Sequence, residues 1–393
     1  MKDSKSLHNK VAKIIQEIPR SGIRDFFDIV STREDVISLG IGEPDFITPW
    51  RIRDAAYRSL DYGKTSYTSN MGSISLRNEV SKYVNSRTNV LYNPEDEVLI
   101  TVGVSEGLDL AIRSFIEPGD EVLYHEPSYV SYNPIIKFAH GVPVAIDTKK
   151  ENNFKITREQ LDKLKTKKTK LLLLNYPNNP TGSTLSKSEV EIIADFAISN
   201  NIIVITDEIY SDLTYDQNHF SIISVPGMRE RTIYLHGLSK AWAMTGWRVG
   251  FATGPKLFIE SMMKIHQYTM LCAPVMCQEA AKEALKNGDV DLQTMKTEYN
   301  QRRNFIKSSL KEMNISFNEP TGAFYIFIDI SKFGLSSKEF SIKLLEQKNV
   351  AVVPGTAFGE AGEGFIRCSY ATSLEEIKKA MVKLKEFVKS FKW

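Results

Sequence analysis

Cysteine is scarce in this chain of 393 residues, which contains three: Cys272, Cys277 and Cys368. Their number is odd, and no two of them have the Cys-x-x-Cys spacing that zinc and redox motifs use. This pattern argues against a disulfide framework and against a zinc site, and it favours a reducing compartment. We therefore expect a cytoplasmic protein without a structural metal.

Long apolar runs and an excess of charge of one sign are also missing. No run approaches the roughly 20 residues of a membrane span, and no apolar segment follows the charged residues 1–5 as in a secretory signal. The formal net charge of +2 gives no electrostatic reason to expect nucleic acid or membrane partners. Composition and length instead indicate a soluble globular protein large enough for two domains.

The chain contains a regular alternation of strand-like and helix-like segments over residues 97–252. Apolar strands are predicted at 97–101, 121–125, 170–175, 202–206, 232–235 and 248–252. The helices between them are predicted at 105–115, 129–139 and 186–200, the last opened by a capping box of Ser186 and Glu189. This βαβ order predicts a mostly parallel sheet with helices on both faces, where ligands bind beyond the carboxyl ends of the strands.

The flanking segments have a different pattern. Before the alternation we predict a polar helix over 1–20, a second short helix from 21–24, a strand at 36–39, and a helix with Thr48 as N-cap and Pro49 as its first residue. After it we predict a smaller α+β unit. Its helices are at 255–267, 291–312, 336–347 and the C-terminus, and its strands at 323–329, 350–353 and 365–369.

Lys240 follows one of the apolar strands, and Arg248 opens the next. An ammonium group at the end of a buried strand costs several kcal/mol or has its pKa lowered. A lysine with a lowered pKa can form a Schiff base with an aldehyde. Ser239 and Arg248 add a hydroxyl and a planar cation, which are groups that bind phosphate. A lone lysine is more often an exposed loop residue, so the rest of the chain has to decide between these interpretations.

Four other positions carry polar groups where an apolar strand ends or within one. Residues 103–105 join a strand to a helix and could bind an anion. Asp207 and Arg367 would be costly to bury without an opposite charge. Asn179 belongs to a turn fixed by two prolines and a glycine. Each position also has a purely structural alternative, such as a helix N-cap or a turn without a ligand.

The stretch Ser239–Arg248 resembles the cofactor-lysine signature of the class I and II aminotransferases, which are pyridoxal 5'-phosphate (PLP) enzymes of fold type I. The resemblance runs from about Ser21 to the C-terminal helix and is strongest to the branch with bacterial aromatic, aspartate and N-acetyl-diaminopimelate aminotransferases. It implies an α/β fold with a large PLP-binding domain over residues 46–285, whose mostly parallel sheet is sandwiched by helices. Residues 1–45 and 286–393 would form the smaller α+β domain.

The resemblance also implies the residues of the site. Lys240 would hold PLP and act as the general base and acid of a ping-pong transfer from an L-amino acid to a 2-oxo acid such as 2-oxoglutarate. The implied cofactor contacts are Val104, Ser105, Tyr129, Asn179, Asp207, Tyr210, Ser239, Arg248 and, from the partner subunit of a homodimer, Tyr67. The implied substrate contacts are Gly42, Asn179 and Arg367.

Two positions depart from the pattern that the resemblance implies. Gly237 replaces a hydroxyl residue that often binds the phosphate, and His236 replaces a common asparagine. Phosphate binding should survive because other donors remain, although its affinity could be lower. His236 is either a ligand of the site or a packed side chain.

Several functions remain to be weighed. A PLP-dependent C–S β-lyase of the same fold uses similar residues. A PLP-binding transcription regulator would need an N-terminal DNA-binding domain, and the ~40 residues before the first motif are fewer than the about 50 of a small domain. A catalytically inactive homologue is disfavoured because Lys240, Asp207 and Arg367 are all present. The donor stays open among aromatic amino acids, aspartate, alanine and N-acyl-diaminopimelate.

Overall fold

The computed structural model of the protein describes residues 10–20 and 35–391. The helix predicted over 1–20 can be compared only from residue 10, where a helix spans Lys13–Glu17, and the helix predicted from 21–24 lies outside the described residues. The strands are β1 (Ile37–Ser38), β2 (Val98–Thr101), β3 (Glu121–Glu126), β4 (Val142–Asp147), β5 (Thr169–Leu174), β6 (Ile203–Asp207), β7 (Thr232–Gly237), β8 (Gly250–Thr253), β9 (Tyr325–Asp329), β10 (Val350–Ala351), β11 (Val353–Pro354) and β12 (Phe365–Ser369). The helices are α1 (Lys13–Glu17), α2 (Trp50–Asp61), α3 (Ile74–Thr88), α4 (Gly103–Phe115), α5 (Tyr132–Phe138), α6 (Arg158–Leu164), α7 (Lys187–Ser199), α8 (Leu238–Ala241), α9 (Lys256–Thr269), α10 (Val275–Asn287), α11 (Asp289–Glu312), α12 (Ser337–Lys348) and α13 (Leu374–Lys389).

A seven-stranded sheet of order β2-β8-β7-β6-β5-β3-β4 forms the centre of the described residues. Its strands run in the same direction except β8, which is antiparallel to both β7 and β2. The four consecutive leucines Leu171–Leu174 of β5 are buried, with apolar clusters on both faces of the sheet. This confirms the mostly parallel sheet covered by helices. Because β8 is reversed, its first residue lies at the edge where the other strands end.

A smaller antiparallel sheet of order β11-β12-β9 lies in the C-terminal part of the chain. Next to it β1 pairs with β10 in parallel, so that Ile37 lies beside Val350. The strand predicted over 350–353 is therefore two strands that belong to different sheets. Of the helices described here, none has the length and apolar character that crossing a membrane requires.

Several predicted element starts are wrong; α5, for example, begins at Tyr132 instead of 129. Helix α2 begins at Trp50 with Pro49 as N-cap, because the buried Thr48 hydroxyl donates to the carbonyl of Ala243 (2.6 Å) instead of capping the helix. Helix α4 begins at Gly103, two residues earlier than predicted, and this glycine adopts φ +76°, a conformation that glycine takes without steric cost. Strand β8 begins at Gly250 because Arg248 has φ +49°, which no strand allows.

Other details were either confirmed or not predicted. The capping box of Ser186 and Glu189 is present at the start of α7. Helices α3 and α10 were not predicted. They pack on each other, and α10 also contacts α2. Helix α3 also contacts β2.

Candidate active site

A cavity of ≈ 320 Å³ opens beyond the carboxyl ends of the parallel strands, within the range of about 300–1,000 Å³ for small-molecule sites. All but one of the residues predicted for the site line it. These are Gly42, Val104, Ser105, Tyr129, Asn179, Asp207, Tyr210, Ser239, Lys240, Arg248 and Arg367. The exception is Tyr67, which lies outside the cavity with 82% of its surface exposed.

Lys240 stands on the short helix α8, directly after β7. Its Nζ donates a hydrogen bond to the carbonyl oxygen of Gly42 at 2.7 Å. Burial lowers the pKa of Lys240 to about 8, with Glu43 opposing the shift and Arg367 adding to it. A considerable fraction of Lys240 is therefore neutral near pH 7.5. A neutral amine is a nucleophile and can accept a proton.

One end of the cavity is built to hold an anion. Val104 and Ser105 lie in the first turn of α4, where backbone N–H groups have no partner within the helix. The pairing of β2 with β8 brings Arg248 against Gly103, where a β-carbon would come within 2.6 Å of Nη2 of Arg248. Because Gly103 has no side chain, the guanidinium of Arg248 fits beside the N-terminus of α4. Together with the hydroxyl groups of Ser105 and Ser239, this arrangement suits a phosphate.

Asp207 ends β6 and is 5% exposed. Its Oδ2 accepts a hydrogen bond from the hydroxyl of Tyr132 at 2.8 Å, and its Oδ1 accepts one from the backbone N–H of Ile209 at 3.2 Å. Burial raises the pKa of Asp207 to about 6, although both hydrogen bonds oppose the shift. Both donors are uncharged, so a cationic ligand atom would relieve the cost of ionising this carboxyl group.

Arg367 lies on β12 and is 2% exposed. Its Nη1 donates to Oδ1 of Asn179 at 2.9 Å and its Nη2 donates to the carbonyl of Gly40. Its Nε is buried and has no hydrogen-bond partner among the described residues. Burial lowers the pKa of this guanidinium. A buried cation held by uncharged acceptors is costly. The geometry therefore calls for an anion, and a carboxylate fits a guanidinium best.

Six residues of the cavity were not predicted: Leu108, Tyr132, Asn175, Ile209, Thr245 and Tyr325. Tyr132 follows Tyr129 by three residues, a spacing that could have indicated its position. Asn175 is the last residue of the strand predicted over 170–175, and its amide donates to the carbonyl of Asp207 at 2.9 Å. Tyr325 had no local signal, because strand pairing between distant segments places it.

His236 does not line the cavity. Its side chain is fully buried, with Nε2 2.8 Å from the hydroxyl of Tyr83 and 3.3 Å from Oδ2 of Asp212. Its ring also stacks on the ring of Tyr83 at 5.4 Å. Of the two interpretations left open, the structure supports the packed side chain.

Known proteins with similar sequences and structures are aminotransferases. The family model described as aminotransferase class I and II matches residues 34–384. The YugH protein of Bacillus subtilis (strain 168) is 50% identical, over 95% of this chain and 97% of its own. The aspartate aminotransferase of Pyrococcus abyssi is 44% identical, over 95% and 96% of the two chains. The crystal structure of the aromatic aminotransferase from Pyrococcus horikoshii superposes with a TM-score of 0.89 at 41% identity, over 93% of this chain and 99% of that one.

Proposed function

The chain belongs to the class I and II aminotransferases, and we propose that it uses PLP to move the amino group of an L-amino acid to a 2-oxo acid such as 2-oxoglutarate. One observation carries the proposal. A single cavity holds an amine of lowered pKa on Lys240, the buried carboxyl group of Asp207 and the buried guanidinium of Arg367. These three groups suit an aldehyde, a ring nitrogen and a substrate carboxylate.

The residues of the cavity fit PLP. Backbone N–H groups of Val104 and Ser105, with Ser239 and Arg248, would hold the phosphate at the anion end. Tyr129 would cover the face of the ring, Asp207 would pair with the ring nitrogen, and Asn179 and Tyr210 would bind its phenolic oxygen. When bound, PLP supplies an electron-withdrawing ring that stabilises negative charge at the substrate Cα.

The side chains of the protein would bind the substrate and move its proton. Arg367 holds the α-carboxylate, helped by Asn179 and the backbone at Gly42, and so directs the Cα–H bond toward Lys240. The neutral Nζ of Lys240 would take the proton from the substrate Cα and deliver it to the aldehyde carbon of the cofactor, so that the nitrogen stays with the cofactor. A folded-state pKa of about 8 lets this amine do both near neutral pH.

The active form is proposed to be a homodimer. Several large apolar side chains are exposed, including Trp50 (62%), Tyr67 (82%), Tyr268 (87%) and Met270 (50%). Exposed aromatic clusters are typical of surfaces that another protein covers. In this arrangement Tyr67 would reach the phosphate in the site of the neighbouring subunit.

Two further properties belong to the same proposal. The cofactor would be bound by a large domain over 46–285, with 1–45 and 286–393 as the small domain. If limited proteolysis yields no fragment of the size of the large domain or of a small-domain segment, that result would argue against this division. A cytoplasmic location is supported by Cys272, Cys277 and Cys368, none of which forms a disulfide. Cell fractionation would test it.

The lining of the cavity favours an aromatic donor. The described cations that line it are Lys240, Arg248 and Arg367, and each has a proposed role, so none of these is left for a side-chain carboxylate. Tyr132 and Tyr325 offer ring surfaces instead. Aspartate, alanine and N-acyl-diaminopimelate are the competing donors.

An absorbance experiment tests the function. The purified holoprotein is scanned before and after addition of each L-amino acid, without any oxo acid. Conversion of the PLP band to the band of pyridoxamine phosphate, with release of the matching 2-oxo acid, is expected and names the donor. Release of pyruvate and ammonia with return of the original band would indicate β-elimination instead. A Lys240→Arg variant, which cannot hold PLP in the same way, serves as the control.

A further inference from the structure

Tyr325 is a buried residue of the cavity to which the proposed function gives no role beyond that of a ring surface for the donor. It is the first residue of β9, is 1% exposed, and lines the cavity. In the pairing of β9 with β12 it lies opposite Ser369, two residues along the strand from Arg367. Side chains two residues apart on a strand share a face of the sheet. Tyr325 and Arg367 therefore point to the same side as diagonal neighbours.

The ring of Tyr325 contacts the guanidinium of Arg367. The central guanidinium carbon lies 4.4 Å from the centroid of Tyr325 and 4.8 Å from that of Phe358. A planar cation over two aromatic rings is restricted in its rotation and attracted by both ring faces. The rings thus fix the plane in which Arg367 presents its N–H groups to a carboxylate.

The hydroxyl of Tyr325 contacts the other half of the site. It lies 2.8 Å from the hydroxyl of Tyr210, and both tyrosines are buried. It also packs against Gly42, where a β-carbon would come within 2.4 Å of the Tyr325 oxygen. The carbonyl of the same glycine accepts the hydrogen bond from Nζ of Lys240. One side chain therefore contacts Arg367, Tyr210 and Gly42, the glycine whose carbonyl accepts the hydrogen bond from Lys240.

The direction of the hydrogen bond between the two hydroxyls follows from the role of Tyr210. If Tyr210 donates its proton to the phenolic oxygen of PLP, its own oxygen is free to accept, and Tyr325 is the donor. Burial raises the pKa of both tyrosines, so both keep their protons at neutral pH. The charged and titratable groups around this pair are Arg367, Asp207, Lys240 and Tyr129.

We propose that Tyr325 is a positioning residue that serves both halves of the site, its ring orienting Arg367 for the substrate carboxylate and its hydroxyl polarising Tyr210 toward the phenolic oxygen of the cofactor. The proposal rests on the proposed function for the roles of Arg367 and Tyr210. The two duties use different atoms of one side chain. They can therefore be separated by substitution.

Two variants of the full-length holoprotein separate them. Tyr325→Phe keeps the ring over Arg367 and removes the hydroxyl, whereas Tyr325→Leu removes both. For Tyr325→Phe we expect the KM for the amino acid to stay within about twofold of wild type and the single-turnover rate to fall by about threefold to tenfold. For Tyr325→Leu we expect the KM to rise as well, by about tenfold. Tyr370→Phe is the matched control, since its buried hydroxyl also bonds within this region, to the carbonyl of Ala323 at 3.2 Å, but does not line the cavity.

A spectroscopic measurement tests the role of the Tyr325 hydroxyl without catalytic turnover. The absorbance of bound PLP is titrated with pH, without substrate, in the wild type, Tyr325→Phe and the control. Loss of the polarising hydroxyl weakens stabilisation of the phenolic oxygen's negative charge, so the midpoint should move upward by about half a pH unit or more. An unmoved midpoint in Tyr325→Phe would overturn the role of the hydroxyl. An unchanged KM in Tyr325→Leu would overturn the role of the ring in orienting Arg367. If the wild-type protein responds to no amino acid, the proposed function fails. The pH titration still tests the role of the Tyr325 hydroxyl in that case.

Discussion

The hydroxyl of Tyr132 donates a 2.8 Å hydrogen bond to Oδ2 of Asp207, and both side chains are buried. The bond joins the first residue of α5 to the last residue of β6. It acts against burial, which raises the pKa of Asp207 to about 6. Tyr132 thus favours the ionised carboxylate, the form that the proposed pairing of Asp207 with a protonated ring nitrogen requires.

Removing this hydroxyl should weaken cofactor binding. In Tyr132→Phe the pKa of Asp207 rises further, so less carboxylate is available at pH 7. We expect the Kd of the apoprotein for PLP to increase by about threefold to tenfold, measured by absorbance titration. Tyr124→Phe is a suitable control, because Tyr124 bonds to Glu126 and does not line the cavity. Equal affinities for wild type and Tyr132→Phe would contradict the role of the bond.

Asp207 should make the apoprotein less stable as the pH rises. Its folded-state pKa of about 6 lies above the value in the unfolded chain, so ionising it disfavours the native state as the pH passes from about 4 to 6. Asp207→Asn removes this loss of stability, because the amide does not ionise. The variant's free energy of unfolding should exceed that of wild type by an amount that grows to about 3 kcal/mol at pH 7. Denaturant unfolding of both apoproteins between pH 4.5 and 7.5 measures the gap, and a gap independent of pH would contradict the expectation.

Capture of PLP by the apoprotein should follow the titration of Lys240. Only the neutral amine attacks an aldehyde, so the rate should rise about tenfold per pH unit below the pKa and level off above about 8. Stopped-flow absorbance between pH 6 and 10 gives this profile. A midpoint close to that of an ordinary lysine would mean that Lys240 is not desolvated. The Lys240→Arg variant should give no such absorbance change at any pH.

Replacing Arg367 should affect substrate binding and spare the cofactor. In Arg367→Met the amino acid loses its carboxylate partner, and we expect its KM to rise by about 100-fold or more. The pyridoxal phosphate band should remain. The apoprotein should also be at least as stable as wild type, because the variant no longer buries an unpaired cation. A large loss of PLP binding would place Arg367 on the cofactor side of the cavity.

Mixing subunits tests whether Tyr67 crosses the interface. Tyr67→Ala and Lys240→Ala proteins are each expected to be impaired, and a dimer of one with the other contains one site with both native residues. Random exchange should restore about a quarter of the wild-type activity. Wild-type protein should have twice the mass of one chain by light scattering. A monomer, or no recovery in a mixture that has exchanged subunits, would contradict the shared site.

Local sequence patterns predicted the central sheet well. The leucine run of β5 and the polar residues at the strand ends placed Asp207, Asn179 and Lys240 on one edge, since parallel strands end together. The start of β8 was mispredicted because the left-handed backbone of Arg248 depends on tertiary contacts. Tyr325 escaped prediction for a related reason, as its position depends on pairing of β9 with β12. Thr48 looked like a helix cap, but a distant carbonyl took its hydrogen bond.

The reversed strand β8 also sets an order for biosynthesis. The anion end of the cavity needs Arg248 beside Gly103, and the register of Thr101 with Gly250 is what brings them together. A growing polypeptide on the ribosome therefore lacks this end until β8 has emerged and inserted between β2 and β7. Arg367 is synthesised later still. A nascent chain would thus assemble the place for the cofactor before the place for its substrate.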